Sequence, residues 1–395
     1  MSWRAREAYS ICNRVRLIID GGAYFDRMEA LIDGARTSIH LQVYIFANDH
    51  IGARIGASLL RAAQRGVRVF LLVDGYGSQG ISDELVRALR DAGAHVGRFE
   101  PLFRSRHFYI GRRLHQKVLV VDDRYGLTGG RNITDRYAGV EGIPAWYDMA
   151  LEVEGEAALD LSVLCCVIWN SAAREPQRAR ASPPTDAERI ALHTTWPAAE
   201  HCAIRVRYND WLYRHVEITR SYGELFTQAR SEIILMSSYF IPGRTMKSVI
   251  ARALRRGVRV VVILGGRSDI WIARSAERWL YAWLLRQGAE VYEYDPTVLH
   301  AKVATRDGQW ATLGSFNIND LSAYTTLEVN LDVNDPELVA TLRTELERIM
   351  RHDCRRITAA GEERNGPWRH LGQWIAYWTL QLVNRLITFY YRQEP

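Results

Sequence analysis

The stretch His115–Asn132, HQKVLVVDDRYGLTGGRN, contains an apolar run that is typical of a buried strand. The polar residues His115 and Lys117 stand at the start of this predicted strand. Because side chains alternate along a strand, His115 and Lys117 are predicted to project from the same face. The apolar run Val118–Val121 is typical of a strand that is covered on both faces. A lysine in such a place requires a counter-charge, because burying an unpaired ammonium is costly. A bound phosphate would supply that charge, so the stretch predicts an anion site.

The same pattern returns later in the chain as HAKVATRDGQWATLGSFN, residues 300–317. In both copies the histidine and the final asparagine are 17 residues apart, and the two histidines are separated by 185 residues. A single match could arise by chance, whereas two matches with equal spacing indicate a duplicated domain. Asn132 and Asn317 are candidate hydrogen-bond donors to a phosphate. Gly130 and Ser315 are small residues that we expect to let the backbone approach the ligand closely.

Further segments repeat in the same order, which supports the duplication. The matched pairs are residues 34–46 with 228–240, 65–69 with 256–260, and 91–101 with 286–296. Within each copy, β-branched strands alternate with helices that end at a glycine, which predicts α/β layers with helices covering a central sheet. We therefore expect an N-terminal domain over residues 1–170 and a C-terminal domain over 201–360. Residues 171–200, rich in Ala, Pro, Arg and Ser, are expected to be a solvated linker.

Composition narrows the class only a little. The 395 residues are 48% hydrophobic and 24% charged, which is an ordinary globular balance. The net charge of +6 allows anionic partners without selecting one. The five cysteines show no C-x-x-C spacing, and no His/Asp/Glu cluster has ligand spacing, so no disulfide framework and no metal are predicted. No apolar run reaches 18 residues and the N-terminus lacks a signal-like segment, so we expect no membrane span.

The two H-x-K-x4-D motifs resemble those of the phospholipase D superfamily, and the resemblance covers nearly the whole chain. It implies two α/β halves, each a mixed sheet flanked by helices, related by pseudo-twofold symmetry around one active site. Within the superfamily the chain is similar to bacterial cardiolipin synthases of the shorter B type. The closer similarity is carried by LLVDGYGSQGISDELVRAL, by LHAKVATRDGQWATLGSFNINDLS and by the Trp-rich C-terminus.

The resemblance implies a two-step phosphodiester exchange through a phosphohistidine, without a cofactor. Spacing leaves open which histidine attacks; the family favours His115 as nucleophile and His300 as acid and base. The family also supplies an acidic residue to each histidine from the opposite half, here Glu328 for His115 and Asp148 for His300. The catalytic set by motif is His115, Lys117, Asp122, His300, Lys302 and Asp307. A regular strand would turn the two motif aspartates away from the lysines, which favours a structural role for them.

The C-terminal segment, residues 361–395, suggests a lipid rather than another phosphodiester. Its apolar residues recur at helical spacing and are Leu371, Trp374, Ile375, Trp378, Leu382, Leu386 and Phe389. With the neighbouring tyrosines and arginines they predict contact with an anionic membrane surface, the alternative being a helix packed on the body. Residues 103–113, FRSRHFYIGRR, have no counterpart in the second copy and are a candidate lid or membrane-contact loop.

Together these features predict a cardiolipin synthase that acts on phosphatidylglycerol, with phosphatidylethanolamine left open as another donor. We expect a peripheral protein on the cytoplasmic side of a bacterial inner membrane, with no nucleic-acid partner. A phospholipase D-type hydrolase or a superfamily nuclease is the alternative. A non-catalytic membrane-binding protein is disfavoured because both motifs are intact. Donor preference and oligomeric state stay open.

Overall fold

The computed structural model of the chain describes residues 7–100, 112–140, 142, 144–172, 179–196, 201–268, 270–360 and 366–392. Most of the candidate lid, residues 103–111, lies outside the described residues. The two residues of that segment that are described are Arg112 and Arg113.

The first half is built around a seven-stranded mixed sheet. Its strands are β1 (Asn13–Ile18), β2 (Ser38–Val43), β3 (Arg68–Asp74), β4 (His95–Phe99), β6 (Val118–Val121), β7 (Tyr125–Gly129) and β8 (Ala150–Gly155). The short strand β5 (Arg113–Leu114) lies outside this sheet, and the helices are α1 (Gly21–Asp33), α2 (His50–Gln64), α3 (Asp83–Asp91) and α4 (Glu156–Ala172). The strand order is β1-β8-β7-β6-β2-β3-β4, with β2, β3 and β4 parallel to one another.

The second half repeats this arrangement with additions. Its strands are β9 (Ala203–Asp210), β10 (His215–Val216), β11 (Glu232–Ser237), β12 (Arg259–Arg267), β13 (Glu290–Val298), β14 (Val303–Arg306), β15 (Trp310–Gly314), β16 (Thr326–Asn334) and β17 (Cys354–Ile357). The connecting helix α5 (Asp186–Thr195) precedes it, and its helices are α6 (Glu217–Gln228), α7 (Arg244–Arg255), α8 (Trp271–Trp279), α9 (Tyr281–Arg286), α10 (Asp320–Tyr324), α11 (Pro336–His352) and α12 (Pro367–Arg392). The order β9-β16-β15-β14-β11-β12-β13 matches that of the first sheet strand for strand, which confirms the predicted duplicated α/β fold.

The repeated glycines end equivalent helices in the two halves. Gly66 and Gly257 both have φ +86°, directly beyond α2 and α7. Gly93 and Gly288, at φ +90° and +92°, do the same after α3 and α9. Glycine adopts this left-handed conformation without the steric cost of a Cβ, so it stops each helix and turns the chain into the next strand.

The two halves share one apolar core. Side chains of the first sheet such as Leu72 and Val120 cluster with Met236 and Ile263 of the second sheet, together with residues of α4 and α11. The outer face of each sheet has a separate core with its own helices. In addition, β5 of the first half pairs in parallel with the start of β16 in the second half. The relative placement of the halves is therefore fixed by both packing and backbone hydrogen bonds.

The segment predicted as a solvated linker contains packed structure. Residues 186–195 form α5, and Arg189 on this helix contacts Asp160 of α4 at 2.6 Å. Ala181 is buried, and the Asn170 side chain donates to its carbonyl at 2.9 Å. Part of the predicted linker or surface loop is therefore a surface helix that is held on α4 by ion pairs, although most of its described side chains are exposed. Composition alone missed the ion pairs that attach α5 to α4.

The C-terminal helix α12 packs on α8 with one face and leaves the other exposed. Ala376 and Tyr377 are buried against Ala276 and Leu280. Lys247 of α7 donates to the Tyr377 hydroxyl at 2.7 Å. The opposite face carries exposed apolar side chains, which are Leu371, Trp374, Ile375, Trp378 and Leu382. Within the described ranges, no helix is long and apolar enough to cross a bilayer.

The two motif aspartates fasten the loop that precedes a central strand. Asp122 accepts hydrogen bonds from the backbone N–H groups of Arg36, Thr37 and Ser38 at 2.7–3.2 Å. Asp307 binds the equivalent backbone N–H groups, those of residues 230–232. Grouping these aspartates with the catalytic residues is therefore wrong in geometry, because their carboxylates are saturated by a loop outside the cleft. Although partial burial raises it, these donors hold the pKa of Asp122 below its ordinary value.

We predict that Asp122→Ala lowers the free energy of unfolding by about 2 kcal/mol, because three backbone N–H groups lose a charged acceptor. Alanine is also strained at the φ of +53° found here. Since the pKa of Asp122 is depressed in the folded state, this stabilisation is present above about pH 4 and is lost as the pH falls further. Urea unfolding at pH 7 and pH 3 measures both effects.

Asp122→Asn is the matched control, because it keeps the shape and one acceptor oxygen and should lose less stability. Both variants should keep most of their activity at low temperature. An Asp122→Ala protein of unchanged stability but without activity would contradict the structural role.

Candidate active site

The histidines and lysines of both motifs meet in one cleft between the halves. His115 and Lys117 lie in the segment just before β6, and His300 and Lys302 lie just before β14, so each pair precedes its strand rather than forming part of it. The cleft has a volume of about 800 Å³ and is lined by residues of both halves. Its lining includes His115, His300, Asn132 and Asn317.

Each histidine is held by a carboxylate from the opposite half. His115 Nδ1 lies 2.8 Å from Glu328 Oε1, and His300 Nδ1 lies 2.7 Å from Asp148 Oδ2. Both carboxylates are buried, and they are the partners that the sequence predicted. Because an ionised carboxylate only accepts hydrogen bonds, Nδ1 must carry the hydrogen in each ring. The Nε2 atom of each histidine therefore keeps its lone pair for chemistry.

The two lysines are buried beside the histidines. The ammonium of Lys117 donates to the carbonyl of His115, and that of Lys302 to the carbonyl of His300. Burial lowers the pKa of Lys117 to about 7, although the nearby Glu328 carboxylate opposes the shift. A phosphate between the lysines would restore the charge balance that burial removes, since opposite charges favour each other's ionised forms.

Both imidazoles have lowered pKa values, which favours their neutral forms. Burial lowers the pKa of His115 below its ordinary value, with Glu328 opposing the change. Burial and the adjacent Lys302 lower the pKa of His300 to about 4. A neutral imidazole can attack an electrophile, whereas an imidazolium cannot. A bound anion would favour protonation, so the same site can host both a base and an acid.

The two asparagines present their amide groups to the cleft. Asn132 Oδ1 accepts from the backbone N–H of Ile45 at 3.1 Å, and Asn317 Oδ1 accepts from the Ser238 hydroxyl at 2.8 Å. With each oxygen occupied, the NH₂ end is the part that remains for donation. Asn132 Nδ2 also lies 3.2 Å from the Tyr137 hydroxyl. This geometry fits the predicted contact with phosphate oxygens.

The small residues Gly130 and Ser315 serve the carboxylates. A Cβ at position 130 would stand 2.4 Å from Asp148 Oδ2, so Gly130 makes room for that carboxylate. At the equivalent position, the Ser315 hydroxyl donates to Glu328 and accepts from the Val329 N–H at 3.1 Å. Their predicted contact with phosphate stays a prediction. The Ser315 hydroxyl thus fixes the position of Glu328, whereas Asp148 fits only because position 130 has no side chain.

Sequence reasoning missed the aromatic residues around the histidines. The edge of Tyr137 packs on His300 with ring centroids 5.3 Å apart, and Trp146 lies 6.0 Å away on the same ring. Tyr44 packs on His115 at 5.2 Å. One signal was available, because Tyr137 lies five residues after Asn132 where the second copy has Ser322 five residues after Asn317. When the two copies differ strongly in side-chain size close to a matched motif, the difference indicates a residue with a role in one half alone.

One group of potential metal ligands lies outside the cleft. Cys12 Sγ is 3.2 Å from His193 Nδ1, and Glu156 Oε1 is 3.1 Å from His193 Nε2. The two nitrogens of one imidazole point in opposite directions, so these contacts do not converge on a single ion. Glu156 already accepts from the N–H groups of Ile11 and Cys12 at 3.1 Å. The arrangement attaches α5 to the first half.

A duplicated mixed-sheet fold with two His-Lys pairs facing one cleft defines a two-domain protein of the phospholipase D-like class. A family described as "Cardiolipin synthase, PLD-like domain" matches residues 28–157 and 222–350. Cardiolipin synthase B of Salmonella typhi is 34% identical over 377 residues, covering 95% of this chain and 89% of that protein. Cardiolipin synthase B of Escherichia coli K12 is 35% identical over 350 residues, covering 87% and 82%.

The chain belongs to the cardiolipin synthase family of the phospholipase D superfamily, and is thus a phosphatidyltransferase. The resemblance noted in the sequence is confirmed. Among solved structures, the phosphatidylserine synthase of Haemophilus influenzae Rd KW20 has the same fold. Its TM-score is 0.70 at 16% identity, with 95% of this chain and 94% of that chain covered.

We predict that kcat/KM falls tenfold per pH unit above about pH 7. In the enzyme without substrate, Lys117 then loses its proton and with it the positive charge that binds the phosphate. Bound phosphodiester raises the pKa of Lys117, so kcat should decline only at higher pH. Lys117→Arg is the matched variant, since arginine stays charged throughout. It should shift or remove the alkaline decline in kcat/KM even if its overall rate is lower. An unchanged profile in Lys117→Arg would assign the decline to another group.

Proposed function

We propose that this enzyme transfers the phosphatidyl group of one phosphatidylglycerol to the glycerol hydroxyl of a second one, forming cardiolipin and releasing glycerol. The observation that carries the proposal is the pair of cross-half imidazole–carboxylate contacts facing one cleft. Two imidazoles whose Nδ1 atoms are held by carboxylates allow the Nε2 of one to attack phosphorus while the other moves a proton. The names of the relatives support phosphatidyl transfer as the reaction.

In the first step, His115 Nε2 attacks the phosphorus of the donor lipid. A P–N bond forms as the P–O bond to the departing glycerol breaks. His300, protonated once the anionic substrate is bound, gives its proton to the leaving oxygen. Glu328 holds the other ring nitrogen of His115 and stabilises the positive charge that develops on it. The product is a phosphatidyl-histidine enzyme and free glycerol.

In the second step, the glycerol hydroxyl of another phosphatidylglycerol enters the vacated position. His300 Nε2 removes its proton, and the oxygen attacks phosphorus as the P–N bond breaks. Cardiolipin leaves and His115 returns to its neutral form. One phosphodiester replaces another, so the cycle needs no nucleotide. Lys117, Lys302 and the two asparagine amides stabilise the non-bridging oxygens in both transition states.

The surroundings of the histidines support His115 as the nucleophile. Its side chain is 18% exposed, whereas that of His300 is 9% exposed. Tyr137 and Trp146 pack on His300, and Tyr44 alone among the aromatic contacts packs on His115 within the described residues. The attacking atom must reach phosphorus directly, whereas a proton donor needs only hydrogen-bond contact with the alcohol oxygen. The more open histidine suits the first role.

The exposed face of α12 supports peripheral binding to a membrane. The helix α12 is apolar on two opposite faces, so one apolar face stays exposed when the other packs on the body. Three of its exposed side chains are tryptophans, Trp368, Trp374 and Trp378, and this residue type favours the lipid–water interface. The net charge of +6 favours an anionic lipid surface. We place the enzyme on the cytoplasmic side of the inner membrane.

We predict that a phosphatidyl ester with a p-nitrophenol leaving group distinguishes the role of His115 from that of His300. This leaving group departs without a proton, so His300→Ala should release one equivalent of nitrophenol and accumulate the phosphatidyl-enzyme. His115→Ala should give neither burst nor adduct. Mass spectrometry of the intact protein measures the adduct. Asp122→Asn is the folded control. An adduct in His115→Ala that is absent in His300→Ala would reverse the assignment.

We predict that phosphatidylglycerol vesicles yield cardiolipin and glycerol in equal amounts, with little phosphatidic acid. Thin-layer chromatography of labelled lipid measures both lipid products. Phosphatidic acid as the main product would favour a hydrolase instead. Cleavage of DNA without any lipid product would favour a nuclease. Lys302→Met should abolish whichever reaction is found, because it removes a cation from the phosphate site while keeping a side chain of similar length.

A further inference from the structure

The cleft has two chemically different walls. Apart from the histidines, the charged lining residues come from the first half and are Asp49, Arg113, Asp135 and Arg136, beside apolar ones such as Ile45 and Trp146. The second half contributes the apolar residues Ile241, Ile270, Ala273 and Leu380, together with uncharged polar residues such as Asn319, Ser322 and Thr326. An exchange of hydrophilic phosphodiesters alone would not require the apolar wall.

The apolar wall comes from elements that break the pseudo-twofold symmetry. In the first half, residues 75–82 lead directly from β3 into α3. In the second half, α8 is inserted between β12 and α9, which is the counterpart of α3. Ile270 and Ala273 belong to this insertion, and Leu380 belongs to α12, which also has no counterpart in the first half. The two added helices pack on each other and border the same side of the cleft.

Buried polar contacts hold α8 in place. Arg274 contacts Glu277 at 2.7 Å and the Tyr281 hydroxyl at 2.6 Å, and it also pairs with Glu293 of β13. Glu277 accepts from the backbone N–H of Phe240 at 2.9 Å. Removing the Arg274 guanidinium would leave the buried Glu277 carboxylate without its cation, so this network fixes the helix on the body. The α8 part of the apolar wall is therefore held rigidly on the body of the protein.

The apolar wall continues outward to exposed aromatic side chains. Ile270 lines the cleft and is also 46% exposed, and the next residue, Trp271, is 78% exposed. On α12, Leu380 lines the cleft, whereas Trp378 is exposed on another face of the helix. The apolar lining thus reaches solvent at the start of α8, beside Trp271. A water-soluble ligand would leave this surface wet.

We propose that the α8–α12 wall is an acyl-chain subsite through which the donor lipid enters sideways from the bilayer. The chain lies along Ile241, Ile270, Ala273 and Leu380, the phosphodiester lies at the histidines, and the glycerol headgroup points to the polar wall. The outer tryptophans of both helices rest at the lipid–water interface. This assignment rests on the proposed phosphatidyl transfer and adds the direction and the specificity of donor binding.

The proposed subsite predicts how kcat/KM depends on the length of the acyl chain. Each methylene transferred from water to an apolar wall contributes about a fourfold gain in affinity. Donor esters that are monomeric in water should therefore show a kcat/KM that rises with chain length until the wall is filled. Glycerophosphoglycerol, which has the same phosphodiester and no acyl chain, is the baseline.

Ala273→Phe tests the proposal, because a phenyl ring at this position on α8 would occupy the space along the apolar wall. The substrates are dihexanoyl-phosphatidylglycerol below its micelle concentration and glycerophosphoglycerol. Release of labelled glycerol is the readout, since it counts transfer and hydrolysis alike. We expect at least a tenfold fall in kcat/KM for the acylated ester and less than a twofold change for the deacylated one. Ala340→Phe, on the exposed face of α11, is the matched control and should change neither value.

Ile270→Asn is a second variant in case the larger ring impairs folding, since this side chain is half-exposed. It should flatten the rise of kcat/KM with chain length. Equal losses for both esters in Ala273→Phe, or an undiminished chain-length dependence in Ile270→Asn, would overturn the acyl subsite. Failure of the proposed function has a different signature, because the wild-type enzyme would then form no cardiolipin from phosphatidylglycerol vesicles, whether or not glycerol is released.

Discussion

The hydrogen bond between each active-site imidazole and a carboxylate of the opposite half is the interaction on which the site depends. Glu328 serves His115, and Asp148 serves His300. A buried carboxylate is costly unless it is paired, so each half is stable in this form only with the other in place. The shared core and the pairing of β5 with β16 provide that placement. One half alone has a histidine without its acceptor and an acid without its partner.

The same burial prepares the site for an anion. Burial lowers the pKa of Lys117 to about 7 although Glu328 opposes the shift, and burial with the adjacent Lys302 lowers the pKa of His300 to about 4. A phosphodiester relieves this cost by supplying the missing charge. Binding and catalysis therefore use one electrostatic arrangement. The donors are in position before the substrate arrives, so little reorganisation is needed during the reaction.

Departures from symmetry give two related halves different tasks. Identical copies would present two equivalent histidines, whereas the exchange needs one nucleophile and one proton carrier. Tyr137 covers His300, and its counterpart Ser322 is too small to cover His115 in the same way. The carboxylates differ too, since Asp148 fits against Gly130 and Glu328 is steadied by Ser315. On the larger scale, α8 and α12 make one side of the cleft apolar.

The sequence by itself determined the duplication, the α/β class and the two His-Lys pairs. These features are patterns along the chain, because periodicity and equal spacing are visible without any knowledge of distant contacts. The acids that hold the histidines were implied by the family resemblance, and their contacts join residues more than 150 positions apart. Only the tertiary structure decided which contacts are made across long separations. It showed that Asp122 ties a loop, that Gly130 and Ser315 serve the carboxylates, and that α5 is packed where a linker was predicted. Such outcomes depend on which distant groups share a buried space, and the order of residues along one strand does not contain that information.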